Sequence, residues 1–294
     1  MLKATKQLLY DWSTYRRNLK SIGALEEHLR TQQPTLLVHQ MGRAGSMTTV
    51  STLKSTHLPM PVFHTHWLNP RNIQRRIDHF NGAPDYRLPF NVRIGMRVSE
   101  ALRRDGPGRR PWHLVTVFRE PIARNLSVFF LSIEVFIKNF FRRHARGELS
   151  DAEVLEIFMR DFPHDQPLNW FDEEVREVFG VDVFEHPFPV EQGFQIIRID
   201  NINMLLIKVE ELNNCFERAF REFLGVDIPE LRQTHITEKD PSYSMYKDFI
   251  DGVSFPQAYL DRMYDSRFAR HFYTPAELAR LRARWGKRLE TAIG

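Results

Sequence analysis

The 294-residue sequence contains a single cysteine, Cys215. One thiol excludes a disulfide framework and a four-cysteine zinc site, and it fits a reducing compartment, so we predict a cytoplasmic protein. The 14 glycines and 17 prolines are too few for a collagen-like or Pro/Gly-disordered chain. Long apolar runs are absent as well. The most apolar stretch, residues 127–141, contains Glu134 and Lys138 and is shorter than the roughly 20 residues that cross a bilayer.

The sequence also has no large excess of positive or negative charge. The 41 basic and 37 acidic residues leave a net charge of +4, a mild excess that suits an anionic ligand. No basic stripe with interleaved aromatic residues indicates nucleic-acid binding. Without repeats or a sharp break, residues 1–294 are predicted to form one domain. Residues 1–33 are predicted as an amphipathic lead-in helix, with a weak interfacial membrane helix as the alternative.

Short apolar runs rich in β-branched residues alternate with helical patterns, which is typical of parallel βα units. Predicted strands cover residues 36–38, 61–66, 92–98, 114–118, 194–199 and 205–209. Predicted helices cover residues 47–55, 121 into the 140s and 212–224, and the capping boxes at 150–153 and 274–277 open two more. Residues 226–256 show no clear periodicity. We therefore predict an α/β protein with three α/β/α layers around a central parallel sheet.

The first candidate for chemistry is the loop of residues 42–48, between a predicted strand and a predicted helix. Small residues leading into a helix leave backbone N–H groups free, and the helix dipole adds positive potential. Arg43 adds a charge, and Ser46 and Thr48 add hydroxyl groups. The loop suits a phosphate or sulfate but is not a Walker A loop, because only two residues separate its glycines and no lysine follows. Taken alone, it could equally be a plain turn.

The second candidate is Arg119, which follows a strand and is itself followed by Arg124 and Ser127. An arginine at the carboxyl end of a strand faces the crevice where open α/β sheets bind ligands. Arg119 and Ser127 could contact one phosphate only if the intervening helix folds back over the strand end. A surface ion pair is the alternative for Arg119.

The third candidate is the segment His64-Thr65-His66. Strand alternation places both imidazoles on one face. Three interpretations stay open: a hydrogen-bonded structural histidine, part of a zinc site whose third ligand is not recognised, or a general base near neutral pH.

An anion loop, a histidine and an Arg…Ser pair at three strand ends, in this order, resemble the sulfotransferases that use 3′-phosphoadenosine 5′-phosphosulfate (PAPS). The resemblance runs from about residue 35 to the C-terminus and implies their P-loop NTPase-like fold. It implies that the 3′-phosphate binds Arg119 and Ser127. It also assigns the 5′-phosphosulfate to the first loop, namely Arg43, Ala44, Gly45, Ser46, Met47 and Thr48.

The same resemblance places His66 in the position of the catalytic base and implies that no metal is required. Arg43 would stabilise charge on the leaving oxygens. His64 stands where the cytosolic branch has a second catalytic lysine, and it would share that role if protonated or would orient the acceptor. Thr48 replaces a tryptophan that stacks on adenine, and the late Arg-Lys-Gly motif of the 3′-phosphate site has no equivalent.

Residues 169–172, 246–247 and 272–273 resemble a bacterial branch described as putative capsular polysaccharide synthesis proteins. The resemblance implies transfer of a sulfuryl group from PAPS to a hydroxyl, expected on a saccharide, with residues 226–294 covering the acceptor site. Four aromatic residues could stack on sugars or simply fill the core: Trp67, Trp170, Tyr243 and Tyr246. The alternatives are a P-loop-type ATP-dependent kinase and a non-catalytic protein that binds a nucleotide or a sulfated glycan.

Overall fold

The computed structural model describes residues 18–82, 84–228 and 241–286, so most of the predicted lead-in lies outside the described residues. The strands are β1 Thr35–His39, β2 Val62–Thr65, β3 Trp112–Phe118, β4 Phe194–Ile199 and β5 Ile202–Lys208. The helices up to the middle of the chain are α1 (residues 18–28), α2 Ser46–Ser55, α3 Pro70–His79, α4 Phe90–Asp105, α5 Pro121–Leu131, α6 Ile133–Phe136, α7 Phe140–Ala145 and α8 Asp151–Asp161. The others are α9 Gln166–Phe171, which continues through a π-helical turn over Asp172–Arg176 into α10 Glu177–Phe179, then α11 Leu212–Leu224, α12 Pro241–Gly252, α13 Gln257–Tyr264, α14 Arg267–Phe272 and α15 Pro275–Gly286.

The five strands form one sheet in the order β2-β1-β3-β5-β4. The first four strands in this order, β2 to β5, are parallel to one another, and the edge strand β4 is antiparallel to β5. The sheet is therefore mostly, not wholly, parallel as predicted. The exception arises because only Asp200 and Asn201 separate β4 from β5, and so short a connection joins only antiparallel neighbours. Asp200 adopts φ 49° in this turn.

Both faces of the sheet are buried under helices. On one face, strand residues such as Leu37 and Leu114 pack with helices α1, α4, α9 and α14. On the other face, Val38 and Val115 pack with α2 and α11. The predicted α/β/α layers are thus confirmed. A third apolar cluster is formed mainly by α5 to α8, α12, α13 and α15.

The prediction of a strand at residues 92–98 is wrong, because this segment lies within α4. Val92 and Ile94 alternate as in a strand, but the buried set continues through Val98 to Leu102 at helical spacing. Gly95 allows α4 to lie against the chain after β2, since a Cβ there would stand 2.2 Å from the carbonyl oxygen of Trp67.

The helix predicted from Pro121 into the 140s is also divided. It ends at Leu131, and α6 and α7 follow as separate short helices, with Asn139 in a left-handed conformation (φ 57°) before α7. Helix α12 lies in the stretch where the sequence showed no periodicity. Both capping boxes are formed as predicted.

Candidate functional site

The carboxyl ends of the parallel strands meet at one edge of the sheet. Strand β1 lies between β2 and β3, so the chain leaves β1 toward β2 on one side while β3 occupies the other. Such a switch point opens a crevice outside the strand ends, where open α/β sheets bind ligands. The three predicted motifs follow β1, β2 and β3, and all three therefore lie at this crevice.

The loop after β1 has an unusual backbone. Arg43 adopts φ 70° and Gly45 adopts φ 77° immediately before α2. Left-handed conformations are costly for residues with a Cβ and are common at functional sites. Ala44 is buried, whereas the side chain of Met47 is half exposed. The fold thus holds the loop in a fixed and strained path at the start of α2.

The loop is joined directly to helix α5. The Nε of Arg43 donates a hydrogen bond of 2.8 Å to the Oγ of Ser127. Arg119 lies beside them, with its Nη1 at 3.5 Å from the carbonyl oxygen of Arg43. Residues separated by 84 positions in sequence are therefore in contact, so α5 lies against the loop after β1. Binding of one phosphate by Arg119 and Ser127 stays a prediction. None of the described carboxylates lies within salt-bridge distance of Arg119, so its predicted alternative, a surface ion pair, is not formed there.

Arg124 also belongs to this site, and no role was predicted for it. Its guanidinium is buried, and its acceptors among the described residues are neutral oxygens: the carbonyl of Gly42 (3.3 Å), the side chain of Asn125 (3.1 Å) and that of Gln166 (2.6 Å). No described carboxylate pairs with it. Burial lowers the pKa of Arg124 to about 9. A charge without a counterion in low dielectric is unfavourable unless an anion joins it.

His66 is oriented by the first loop. Its Nδ1 lies 2.7 Å from the carbonyl oxygen of Gln40. A carbonyl only accepts, so Nδ1 carries the proton in the neutral ring and Nε2 keeps its lone pair. Burial lowers the pKa of His66, the hydrogen bond to Gln40 opposes that shift, and the charges of Arg124 and Arg76 add to it. At neutral pH the ring can therefore accept a proton at Nε2.

His64 lies next to His66, with ring centroids 4.6 Å apart, so the predicted same-face pair is present. Burial, together with the charges of His66 and Lys54, lowers the pKa of His64 well below its usual range. Its Nε2 is buried and has no hydrogen-bond partner among the described residues. These surroundings favour a neutral ring. Over the described ranges, no three His, Cys, Asp or Glu side chains are grouped so as to hold a metal ion.

Arg119 lines a cleft of about 580 Å³. Helix α15 contributes Arg280 and Arg284 to it. This helix is held against the sheet by an ion pair of 2.6 Å between the buried Lys208, at the end of β5, and the partly buried Glu277. Neither arginine is among the predicted site residues, although the capping box at Thr274 predicts the helix that carries them at i, i+4 spacing.

A buried carboxylate holds the start of α5 beside this cleft. Glu120 accepts the backbone N–H groups of Ile122 (2.8 Å) and Ala123 (2.7 Å) and the hydroxyl of Tyr264 (2.9 Å). Burial raises its pKa despite these donors. Glu120 thus acts as the helix cap that positions α5, and with it Ser127, over the loop.

A second and larger cleft, of about 780 Å³, opens on the other side of α5. One of its lining residues is Trp67, which follows His66 in the sequence. Another is Gln166, which accepts a hydrogen bond from Arg124. Helix α13 contributes Arg262. The predicted C-terminal segment therefore reaches both clefts through α13 and α15.

The four aromatic residues named as possible sugar-stacking or core residues differ in their surroundings. Trp170 is fully buried and packs on His39 at 4.9 Å between ring centroids, so it belongs to the core. Tyr246 packs on Phe130 and Tyr243 stacks on Tyr246. Only Trp67 of the four lines one of the clefts described above.

Comparison with known proteins adds one match. Residues 149–274 match the family described as putative capsular polysaccharide synthesis protein, which includes α8 to α14 but neither the loop at Arg43 nor Ser127 and His66. No curated protein and no solved structure is significantly similar to the chain. Throughout the described segments, no helix is long and apolar enough to cross a bilayer. The match points to a saccharide-related role.

Proposed function

We propose that this protein transfers a sulfuryl group from PAPS to a hydroxyl group of a saccharide. The observation that carries the proposal is the convergence at one crevice of Arg43, Ser127 and a histidine with an available Nε2. An anion site and a base side by side are what a group transfer between an anionic donor and a hydroxyl requires.

The donor would lie across the ends of β1 and β3. The loop at Arg43 and the N-terminus of α2 offer positive charge and N–H groups for the phosphosulfate. Arg119 would hold the 3′-phosphate, with Arg280 and Arg284 in the same cleft. Arginine suits this task because its planar guanidinium binds two phosphate oxygens at once. The buried charge of Arg124 supports the same assignment, since a bound anion would compensate it.

In the proposed reaction, the acceptor oxygen forms a bond to sulfur while the bond between sulfur and the 5′-phosphate oxygen breaks. The hydroxyl proton passes to Nε2 of His66, and the desulfated nucleotide 3′-phosphoadenosine 5′-phosphate (PAP) is released. Such a base contributes about 10²–10⁴-fold to the rate. Arg43 would stabilise the charge that develops on the leaving oxygens. The polysaccharide family match and the large cleft that Trp67 lines support a saccharide as the acceptor.

The first test is a thermal-shift titration with PAP, ATP and AMP, each with and without Mg²⁺. We expect PAP to stabilise the protein without Mg²⁺, by about 2.7 kcal/mol at a hundredfold excess over Kd. The Arg119→Ala variant should lose most of this shift. The His66→Gln variant should keep it, yet should transfer the labelled sulfuryl group from PAPS to saccharide mixtures at least about a hundredfold more slowly.

The other outcomes separate the remaining interpretations. A shift with Mg-ATP alone would indicate a kinase, and a PAP shift with no transfer to any hydroxyl acceptor would indicate a nucleotide-binding protein. Absence of a shift with all three nucleotides would contradict the donor site itself.

A further inference from the structure

The large cleft lined by Trp67, the residue after His66, has an uneven charge. Four arginines line it, against the two carboxylates of Asp165 and Glu173. The arginines are Arg75, Arg76, Arg160 and Arg262. A cleft lined by one sign of charge concentrates ligands of the opposite sign.

Two of the arginines on the cleft wall are already neutralised by neighbours. Arg262 binds Asp165 through two hydrogen bonds of 2.9 and 2.6 Å. Arg160 binds Asp161 through two hydrogen bonds of 2.9 Å. Neither therefore offers an uncompensated charge to a ligand.

Arg75 and Arg76 on helix α3 differ from that pair. Arg75 donates to the neutral side chain of Asn72 at 3.0 Å, and no described carboxylate pairs with either arginine. The Nε of Arg76 is buried and has no hydrogen-bond partner among the described residues. A buried N–H donor without a partner is uncommon and unfavourable. These two guanidiniums are the open cationic groups of the cleft.

Their position relates them to the proposed base. The charge of Arg76 acts on His66, and Trp67, the next residue, lines the same cleft. A saccharide in this cleft with a hydroxyl at Nε2 of His66 would have its neighbouring ring substituents near α3. A carboxylate or another acidic group there would supply the missing acceptor for Arg76.

We propose that the acceptor is an acidic saccharide, with Arg75 and Arg76 binding the acidic group of the sugar next to the one that carries the reacting hydroxyl. This inference rests on the proposed function for the identity of the reaction but predicts binding without the donor. Arginine is suited to it because carboxylate and sulfate oxygens match its two-pronged geometry.

The test measures binding of a panel of uronate-containing hexasaccharides, each beside its carboxyl-reduced counterpart, by calorimetry without nucleotide. At least one acidic member should bind about tenfold or more tightly than its reduced form. The double variant Arg75→Gln/Arg76→Gln should remove that preference. Arg71→Gln is the matched control, because Arg71 lies on the same helix, is exposed and already pairs with Glu177.

Each outcome either supports or contradicts the proposed binding of an acidic group by Arg75 and Arg76. The proposal fails if no acidic member outperforms its reduced form, or if the preference survives in the double variant. If Arg71→Gln removes the preference equally, the effect is one of overall charge and the assignment to Arg75 and Arg76 is wrong. Melting temperature of the variants reports their folding, and the single variant Arg76→Lys repeats the test if the double variant is unfolded. PAP binding is scored separately, so loss of the proposed donor site would leave this result readable.

Discussion

A fully buried arginine lies at each end of the sheet, and the two arginines differ in their hydrogen-bond and ion-pair partners. Arg110 precedes β3 at the amino end, and Arg124 lies on α5 above the carboxyl end. Each is 2 % exposed. Arg110 donates to the backbone carbonyls of His28 and Leu29, lies 3.8 Å from the carboxylate of Asp105 and packs over the ring of Trp112. Arg124 donates to one carbonyl and two side-chain amides and has no described carboxylate partner.

The difference is between a buried charge that has a carboxylate nearby and one for which we propose an anionic ligand. At the amino end the fold supplies the counterion, so the buried guanidinium ties α1 and the loop after α4 to the sheet. At the carboxyl end the described residues supply dipoles but no counterion, and we propose that a bound anion completes the site. The two arginines are equally buried. What distinguishes them is whether a described carboxylate lies near the guanidinium.

The strongest way to break this comparison is Arg110→Met. We expect the free energy of unfolding to fall by about 3 kcal/mol, because two carbonyl acceptors lose their donor and Asp105 loses a partner. Urea unfolding measures the loss, and PAP affinity of the folded variant should stay unchanged. A loss of PAP affinity with unaltered stability would reverse the roles we give to the two ends.

The matched change at the other end is Arg124→Met, which keeps much of the side-chain volume. We expect the Kd for PAP to rise by roughly 30-fold, equivalent to about 2 kcal/mol for a hydrogen-bonded charge. The melting temperature should change less than in Arg110→Met, because removal of an uncompensated buried charge offsets the loss of the donor to three acceptors. Calorimetry and thermal melting measure the two quantities. A large fall in stability with unchanged PAP affinity would make Arg124 structural.

The effect expected to be smallest at neutral pH is that of His39, because it develops only in acid. His39, at the end of β1, is fully buried, and burial lowers its pKa to about 3 from 6.5. Between these values the unfolded chain binds a proton that the folded chain does not, so stability falls as the pH drops from 6.5 toward 3. His39→Gln should reduce this slope by up to about 1.4 kcal/mol per pH unit.

Urea unfolding at several pH values measures the slope. His28, at the opposite end of the sheet, is only partly buried and is bonded to Thr35 at 2.9 Å, so His28→Gln should change the slope less. Equal slopes for the wild type and His39→Gln would show that His39 does not contribute to acid sensitivity.

Much of the fold could be predicted because it depends on local patterns. Four of the five strands follow apolar runs flanked by turn residues close to the predicted bounds, and Gly225 ends α11 in the left-handed conformation that glycine favours. Helix α4 was missed because a window of seven residues fits both periodicities. The break after Leu131 was missed because no proline or glycine marks it.

The sequence by itself determined the order of the three motifs and the residues in them, since a strand followed by polar residues brings those residues to one edge of a parallel sheet. Only the tertiary structure decided that Arg43 bonds Ser127, that Arg280 and Arg284 join Arg119, and that Arg110 is compensated while Arg124 is not. The physical reason is that compensation, desolvation and cleft shape depend on side chains far apart in sequence, which local periodicity does not relate.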